Sequence, residues 1–366
     1  MKVLLAAGAR PNFMKIAPLL HEAKHYISKA DFKLVHTGQH YDYEMSKAFF
    51  DDFDISEPDY FLNVGSGSHA VQTAGVIVEF EKVCLKEKPD IVLVVGDVNS
   101  TLACSITAKK LNVKVAHIEA GLRSGDMSMP EEINRIVTDS ISDYLFVTER
   151  SGVGNLRSEG KREDRIFFVG NIMIDALYYG LEKLKACAVT GEGHRWQAGK
   201  GAPRVVVTLH RPSNVDDEAK LRDILSGLRD IAKETEMYFP MHPRTRKKIE
   251  MFGLDYLIKD SGIIILQPLS YLEFLSLWKD AALVITDSGG IQEETTALGI
   301  PCFTVRDNTE RPITIEEGTN ILVGTTGEKM LDAFMSFKKG GRKSSKVPEL
   351  WDGKTAGRII GKLLAL

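Results

Sequence analysis

A turn that could bind an anion follows the first apolar run of the chain. The run at 3–7 ends at Gly8, and Arg10, Pro11 and Lys15 come next. A helix that begins here would direct unpaired N–H groups and two cations at one point, which predicts an anion site. A strand, a turn and two surface cations would give the same residues. The single glycine departs from the G-x-G-x-x-G fingerprint of dinucleotide-binding proteins, so we expect no NAD.

Two acidic side chains come directly after later apolar runs. Asp97 follows the run at 91–95, and Glu119 follows the run at 113–118. Because ligands of parallel sheets bind beyond the carboxyl ends of the strands, both acids are candidates for chemistry. For Asp97 the alternative is a helix cap in front of Asn99. Glu119 has no evident capping role.

A third acid lies in a helix that is predicted to begin at Pro130. Proline is favoured at the first helical position, and acids are favoured in the first turn. Glu131 and Arg135 are four residues apart and therefore face the same way. An ion pair within the helix explains this spacing, whereas a catalytic role requires Glu131 to turn toward the other acids.

The second half of the chain offers histidines and arginines at comparable places. His210 follows the apolar run at 204–209, and His242 follows the run at 238–241. A charged segment at 306–312, which includes Arg311, follows another apolar run. The two histidines lie at separate strand ends and lack H-x-x-x-H spacing, so we predict no metal site.

A glycine turn between a strand and a helix predicts a second anion site. Asp287 ends an apolar run, and Ser288, Gly289 and Gly290 open the next helical pattern. Their backbone N–H groups would hold a diphosphate at the helix N-terminus, and Glu294, one turn later, would bind a ribose hydroxyl.

The elements that must position these side chains form two series of short apolar runs separated by helical patterns. Apolar strands that alternate with helices predict parallel sheets covered on both faces. The first series lies at 3–7, 34–36, 91–95, 113–118, 144–147 and 166–169. The second lies at 204–209, 238–241, 263–266, 283–286, 302–305 and 321–323.

The chain of 366 residues exceeds the usual size of one hydrophobic core, which favours two domains. We predict an N-terminal domain over 1–169 and a C-terminal domain over 170–350. A polar linker region is expected at 191–203. The last segment, 351–366, is predicted to be a helix that could return to the first domain.

Composition restricts the class of protein. With 47 basic and 50 acidic side chains the net charge is −3, so neither a general nucleic-acid surface nor a membrane surface is expected. No stretch is long enough to span a bilayer and no leader peptide is evident, which predicts a cytoplasmic protein. The cysteines are too scattered for disulfides or zinc, and Cys84, Cys104 and Cys302 are predicted to be buried.

Seven motifs taken together resemble the non-hydrolysing UDP-N-acetylglucosamine 2-epimerase family. In order, they are GARPNFMKIAPL, VGDVNST, HIEAGLRS, PEEINR, LHRPSN, DSGGIQEE and TERP, over residues 8 to 312. The resemblance implies two Rossmann-like doubly wound parallel-sheet domains in the GT-B arrangement, with the active site in the cleft between them. It also implies a homodimer and a UDP-sugar substrate, with no cofactor.

The resemblance further implies roles for individual residues. The phosphates of UDP would be bound by Arg10 and by His210, which is also a catalytic candidate. The other catalytic candidates would be Asp97, Glu119, Glu131, Arg135 and Lys15. The remaining UDP-sugar ligands would be His242, Phe274 against the uracil, Ser288, Gly289, Gly290, Glu294 at the ribose, and Arg311.

The implied reaction is reversible inversion at C2 of UDP-N-acetylglucosamine, which supplies a precursor for surface polysaccharide or glycan synthesis. Because no carbonyl adjoins C2, the family eliminates UDP to form 2-acetamidoglucal and then adds it back on the other face. Two faces require at least two proton-transfer groups, and three carboxylates meet that need. The alternatives are a hydrolysing 2-epimerase, a GT-B UDP-sugar glycosyltransferase and a non-catalytic UDP-sugar sensor.

The motifs depart from the bacterial family pattern in one region. Residues 65–72 read GSGSHAVQ and lack the arginine of the bacterial allosteric site. We therefore expect no activation by a second substrate molecule through that arginine. Gln39 and His69 could form a modified site.

Overall fold

The structure, a computed structural model, describes residues 1–38, 50–190 and 204–366. These residues divide into two compact units. Unit 1 comprises Met1–Tyr179 with Glu349–Leu366, and unit 2 comprises Gly180–Pro348. The linker predicted at 191–203 lies outside the described residues.

A seven-stranded parallel sheet forms the centre of unit 1, in the order β3-β2-β1-β4-β5-β6-β7. The strands are β1 Lys2–Ala7, β2 Asp31–His36, β3 Tyr60–Phe61, β4 Ile91–Val95, β5 Lys114–Ile118, β6 Tyr144–Val147 and β7 Ile166–Phe168. Every residue of β4 is at most 3% exposed, as expected of a strand covered on both faces. The six predicted strands are confirmed. β3 was not predicted, because an edge strand of two residues leaves no apolar run.

Helices cover this sheet. They are α1 Arg10–Ala23, α2 His69–Glu87, α3 Asn99–Lys110, α4 Pro130–Ile141, α5 Arg150–Ser158, the first half of α6 Ile172–Thr190, and α14 Thr355–Leu363. Pro130 and the acids of the first turn begin α4 as predicted. Cys84 and Cys104 are buried in the core beside β1 and β4, as predicted.

Unit 2 has a six-stranded parallel sheet in the order β10-β9-β8-β11-β12-β13. Its strands are β8 Arg204–Thr208, β9 Glu236–Pro240, β10 Ile263–Leu266, β11 Leu283–Thr286, β12 Cys302–Thr304 and β13 Asn320–Leu322, all of them at predicted positions. Its helices are α7 Pro212–Val215, α8 Glu218–Ala232, α9 Pro243–Met251, α10 Tyr271–Trp278, α11 Gly289–Leu298, α12 Pro312–Glu316 and α13 Gly327–Lys338. Cys302 is buried in β12, as predicted.

Both sheets follow the strand order of a doubly wound fold, in which the order reverses beside the first strand. The reversal lies between β1 and β4 in unit 1 and between β8 and β11 in unit 2. Ligands of such sheets bind at this switch point. The predicted fold class, two Rossmann-like doubly wound parallel sheets, is confirmed, and the switch points show where its sites should lie.

The C-terminal segment packs into unit 1. The buried carboxylate of Asp175 on α6 accepts hydrogen bonds from the backbone N–H groups of Thr355 (3.1 Å) and Ala356 (2.8 Å), which open α14. Trp351 is 2% exposed, and its indole N–H donates to the carbonyl of Thr148 over 3.4 Å. Burial raises the pKa of Asp175 to about 6, although both N–H groups favour its charged form. The predicted final helix is therefore α14, which is held at its start by Asp175.

Candidate active site

The turn after β1 is tightly packed from below. A Cβ on Gly8 would lie 2.2 Å from Oγ of Ser100 and 2.9 Å from Oγ1 of Thr37, so a side chain does not fit at this position. Those two hydroxyl groups are buried and hydrogen-bonded to each other over 2.7 Å. The chain can therefore pass from β1 into α1 beside β4 only with glycine at this point.

Two backbone N–H groups of this turn donate hydrogen bonds to the side chain of Asn12. Its Oδ1 accepts from the N–H groups of Gly8 (3.2 Å) and Ala9 (3.1 Å), and its Nδ2 donates to the carbonyl of Val95 over 3.0 Å. The prediction that the N–H groups of the turn are free for an anion is wrong for these two. The predicted phosphate contact of Arg10 concerns a side chain outside the described part of the structure.

Lys15 and Glu119 form a buried ion pair. Lys15 is 7% exposed and Glu119 is 3% exposed, and the ammonium group donates to Oε2 of the carboxylate. Glu119 has φ +73°, in the left-handed region, which turns its side chain sharply out of the end of β5. Gly96 leaves room for this ion pair. A Cβ at Gly96 would lie only 3.0 Å from the Lys15 nitrogen.

Asp97 accepts hydrogen bonds from Arg135 of α4. The guanidinium donates to Oδ2 of Asp97 from Nε over 3.0 Å and from Nη2 over 2.7 Å. Val98, rather than Asp97, is the N-cap residue of α3, and no side chain caps that end. The capping alternative for Asp97 is therefore wrong. Val95 and Ile118 are paired across β4 and β5. Asp97 and Glu119 therefore follow the ends of two neighbouring strands.

The first turn of α4 carries two glutamates with different surroundings. Glu131 is partly exposed, whereas Glu132 is 1% exposed. Glu132 pairs with Arg135 and accepts from the N–H groups of Ser124 (3.0 Å) and Gly125 (2.9 Å). Burial opposes ionisation of Glu132, but these three donors outweigh it and lower its pKa. Glu132 was not predicted as a site residue, although it fixes the arginine that contacts Asp97.

In unit 2, Asp287 organises the strand ends at the switch point. This fully buried carboxylate accepts from the backbone N–H groups of His210 (3.1 Å) and Arg211 (2.9 Å) and from the amide of Asn214 (3.2 Å). The ring of His210 is 40% exposed, and its Nδ1 lies 3.3 Å from Oδ1 of Asp287. The exposed ring of His242 lies 5.6 Å from that of His210, measured between centroids. The two predicted histidines are thus brought together.

The predicted glycine turn opens α11. Ser288 is the N-cap residue, and Gly289 and Gly290 form the first turn, all three partly exposed. The N–H group of Ser288 donates to Oγ1 of Thr286 over 3.0 Å, so the prediction that the N–H groups of this turn bind a diphosphate is wrong for Ser288. A Cβ on Gly289 would lie 3.0 Å from Oε1 of Glu310, so this carboxylate supports the turn from behind.

Glu310 lies among arginines and was not predicted individually. Its Oε1 accepts from Nη2 of Arg211 over 3.1 Å, and its Oε2 lies 2.7 Å from Nη2 of Arg306. Burial would raise the pKa of Glu310, but the charges of Arg211, Arg306 and Arg311 hold it well below the usual range. Arg311, which was predicted, pairs through Nε with Glu293 over 2.7 Å. The motif TERP contains Glu310, but only the fold shows which cations surround it.

Glu294 lies in α11, one turn beyond the glycines, and is 2% exposed. The hydroxyl of Tyr271 donates to its Oε1 over 2.8 Å. Burial and the neighbouring charge of Glu293 raise the pKa of Glu294 to about 8, against the hydrogen bond from Tyr271. A protonated carboxyl can donate as well as accept, which suits a hydroxyl ligand. Phe274 is partly exposed on α10, the helix of Tyr271.

Two further findings concern the described ranges only. Within 1–38, 50–190 and 204–366, no group of three or more histidine, cysteine, aspartate or glutamate side chains is arranged to hold a metal ion. The helices of these ranges include none that combines the length and the apolar character needed to cross a membrane. His69, one of the two residues named for a modified regulatory site, contacts Asn99, while Gln39 lies outside the described residues.

The amino-acid sequence of this chain resembles those of known proteins over nearly its whole length. A family model described as UDP-N-acetylglucosamine 2-epimerase matches residues 23–364. The UDP-N-acetylglucosamine 2-epimerase of Methanocaldococcus jannaschii is 42% identical, with 98% of each chain covered. The UDP-2,3-diacetamido-2,3-dideoxy-D-glucuronate 2-epimerase of Pseudomonas aeruginosa is 40% identical, with 100% of this chain and 99% of the relative covered.

Solved structures give the same result for the fold. The M. jannaschii UDP-GlcNAc 2-epimerase in complex with UDP-GlcNAc and UDP matches with a TM-score of 0.89 and 42% identity over all of both chains. The UDP-GlcNAc 2-epimerase of Neisseria meningitidis bound to UDP-GlcNAc matches with a TM-score of 0.91 and 31% identity, again over all of both chains. The chain therefore belongs to the UDP-N-acetylglucosamine 2-epimerase family.

Proposed function

We propose that this protein is a non-hydrolysing UDP-N-acetylglucosamine 2-epimerase that interconverts UDP-N-acetylglucosamine and UDP-N-acetylmannosamine. The observation that carries the proposal is the pair of acids at neighbouring strand ends, Asp97 and Glu119, each paired with a cation. A protein that only binds UDP-sugars needs phosphate and uracil contacts but not such carboxylates. The product would serve as a donor for glycan synthesis.

The proposed reaction proceeds by elimination and re-addition. A carboxylate removes the proton at C2 while the C1–O bond breaks, and UDP departs with the electron pair. The resulting 2-acetamidoglucal then receives a proton at C2 from the opposite face, and UDP adds back at C1. Every atom is recovered in the epimer. Asp97, Glu119 and Glu131 are the proposed proton-transfer groups, and Lys15 and Arg135 orient the first two.

Unit 2 would hold the leaving group in this mechanism. Negative charge develops on the diphosphate as the C1–O bond breaks, and preorganised donors stabilise such charge best. The proposed donors are His210, His242, Arg311 and the N–H groups of Gly289 and Gly290, which follow Ser288 in the turn. Arg10 is the proposed contribution of unit 1. The buried carboxyl of Glu294 would bind the ribose and Phe274 the uracil.

Nuclear magnetic resonance of the reaction in D₂O tests the proposal. With UDP-N-acetylglucosamine as substrate we expect UDP-N-acetylmannosamine, both sugars labelled with deuterium at C2, and no lasting free UDP. Accumulation of free N-acetylmannosamine and UDP would indicate a hydrolysing enzyme, and unchanged substrate would indicate a sensor. Epimerisation without label would exclude the elimination.

Two variants test the assignment of the acids. Asp97→Asn and Glu131→Gln should each retain UDP binding and lose epimerisation, because general acid–base groups contribute about 10²-fold to 10⁴-fold. Wild-type turnover in either variant would remove that residue from the mechanism. Glu79→Gln on α2 is the control, since Glu79 is also a helical glutamate and its exposed pair with Lys82 lies outside the site.

The same nuclear magnetic resonance experiment should be carried out with other UDP-sugars. The relative from P. aeruginosa, 40% identical over the whole chain, is named for a diacetamido sugar acid. A panel of UDP-sugars with one or two acetamido groups, with and without the C6 carboxylate, would establish which is turned over fastest. We also propose a homodimer, which light scattering during gel filtration would test.

A further inference from the structure

The fully buried side chain of His117 lies between the segments that carry the three acids. It belongs to β5, two residues before Glu119. Its Nε2 lies 2.8 Å from the carbonyl oxygen of Gly96, the residue before Asp97. Its Nδ1 lies 2.6 Å from Oδ1 of Asp139, on the helix that also carries Glu131.

The partners of the ring determine where its protons are. A carbonyl oxygen can only accept, so Nε2 of His117 must carry a proton. Oδ2 of Asp139 accepts from the N–H group of Gly121 over 3.0 Å and lies 2.8 Å from Nη2 of Arg123. Although burial opposes it, these neighbours and His117 lower the pKa of Asp139, which is therefore ionised. Through its two nitrogens the ring therefore joins the segment before Asp97 to α4.

The backbone that this ring joins is in an unusual conformation. Gly96 has φ +67°, Glu119 has φ +73° and Gly121 has φ +81°, all in the left-handed region. A Cβ on Gly121 would lie 2.4 Å from the carbonyl oxygen of Gly152, so the chain is closely confined there. Non-glycine residues persist in this region only when the surroundings fix them, and such residues cluster at functional sites. The His117–Asp139 pair supplies that fixation on both sides of Glu119.

We infer that His117 is a positioning residue which, through its contacts with Gly96 and Asp139, holds the strand ends of Asp97 and Glu119 in register with α4. The inference rests on the proposed function, in which these acids exchange protons with C2. A displacement of about 1 Å at a reacting group can cost about 10²-fold in rate. A histidine that merely filled the core would support folding without affecting the rate of the folded enzyme.

Two substitutions separate the two hydrogen bonds of the ring. The amide nitrogen of asparagine lies near the position of Nδ1, and that of glutamine lies near the position of Nε2. His117→Asn thus keeps the donor to Asp139, while His117→Gln keeps the donor to Gly96. Both should lower kcat about tenfold to hundredfold, with KM and the Kd for UDP within about twofold. His25→Gln, at an exposed histidine of the turn Lys24–Tyr26, is the control.

The kinetic result has a defined contrary outcome. If the folded variants keep the wild-type kcat, or if kcat, KM and UDP affinity change together with the melting temperature, His117 is not a positioning residue. If neither variant folds, the same question is put to Asp139→Asn, which removes the charge but preserves the shape of the pair. Its retention of full kcat would also overturn the inference.

A measurement on the wild-type protein does not depend on turnover. With ¹⁵N-labelled histidine, Nε2 of His117 should resonate as a protonated nitrogen, because it donates to the carbonyl oxygen of Gly96. The His117→Asn spectrum assigns the signals. An unprotonated Nε2 would overturn the inference even if epimerisation is found. A protonated Nε2 in a protein without epimerase activity would leave the contact with Gly96 in place and refute the proposed function instead.

Discussion

Unit 1 and unit 2 share one strand order but differ in which charge their switch points present. In unit 1 the acids Asp97 and Glu119 follow the strand ends. Arg135 pairs with Asp97, and Lys15 pairs with Glu119. In unit 2 the roles are reversed: the buried carboxylate of Asp287 supports the backbone of the His210 segment. Glu310 likewise supports arginines behind the Ser288 turn.

This difference shows how one scaffold can serve two tasks. The doubly wound sheet fixes only where the strand ends converge, and the paired counter-ions fix which group is held in place and which is left for a ligand. Within unit 2 the supporting carboxylates are more deeply buried than the histidine beside them, since Asp287 is 0% and Glu310 is 6% exposed while His210 is half-buried. Substitutions in unit 1 should therefore alter the chemical step, and those in unit 2 should alter UDP binding or stability.

Glu119→Gln is expected to have the largest effect. If Glu119 transfers a proton as proposed, its removal should lower kcat about 10²-fold to 10⁴-fold, while the Kd for UDP changes less than about threefold. Product formation by nuclear magnetic resonance and UDP titration by calorimetry measure the two quantities. Glu79→Gln is again the control. A large loss of UDP affinity in Glu119→Gln would contradict the separation of tasks.

Glu310→Gln should chiefly destabilise unit 2. Removal of one partner of a buried charge pair typically costs about 3–5 kcal/mol, and three arginines depend on this carboxylate. Because folding lowers the pKa of Glu310, its contribution is complete above the unfolded value of about 4.3 and is lost as pH falls below it. Urea unfolding at neutral pH and near pH 4 should thus show a smaller difference between variant and wild type at the lower pH. A constant difference would indicate that packing, not charge, is lost.

Gly289→Ala is expected to weaken UDP binding about tenfold, or about 1.4 kcal/mol. The new methyl group would meet Oε1 of Glu310 at 3.0 Å and must displace the turn or the carboxylate slightly. At saturating substrate, deuterium exchange at C2 should proceed at close to the wild-type rate. Gly154→Ala on α5, where a Cβ has open space, is the matched control. Unchanged UDP affinity would argue against a diphosphate at this turn.

Glu294→Gln should cause the smallest loss of activity or stability, because its expected effect is a changed pH dependence of stability. The folded pKa of Glu294, about 8, lies above its unfolded value, so wild-type stability declines as pH rises from about 4.3 to 8. The variant lacks this decline, and its free energy of unfolding relative to wild type should improve between pH 5.5 and pH 8. Opposite pH trends for Glu294→Gln and Glu310→Gln would sharpen the comparison within unit 2.

Much of the fold could be predicted because parallel strands buried on both faces leave apolar runs in the sequence. The same logic located Asp97, Glu119, His210 and Ser288, since residues that follow such runs converge at one edge. Partners distant in sequence could not be found this way. The amide of Asn12 binds backbone groups beside it and, 83 residues away, the carbonyl of Val95.

The acids of α4 illustrate the same limit. The spacing of Glu131 and Arg135 suggested a pair within the helix. The contacts of Arg135 instead include Glu132, the residue after Glu131, and Asp97, which follows the end of β4. Helical periodicity gives the face of a side chain only approximately, and the identity of its partner depends on which loop packs against that face. For His117, nothing in its neighbours along the chain indicates Asp139, 22 residues away.

The contact between Asp175 and the start of α14 has a consequence for biosynthesis. Unit 1 is interrupted by the whole of unit 2, so the ribosome makes Asp175 long before it makes Thr355 and Ala356. Until then the nascent unit 1 lacks the helix that packs against α1, and the Asp175 carboxylate lacks its two donors. Unit 2, continuous in sequence, can mature first. During translation we therefore expect chaperones to be needed mainly by unit 1, which is begun first and completed last.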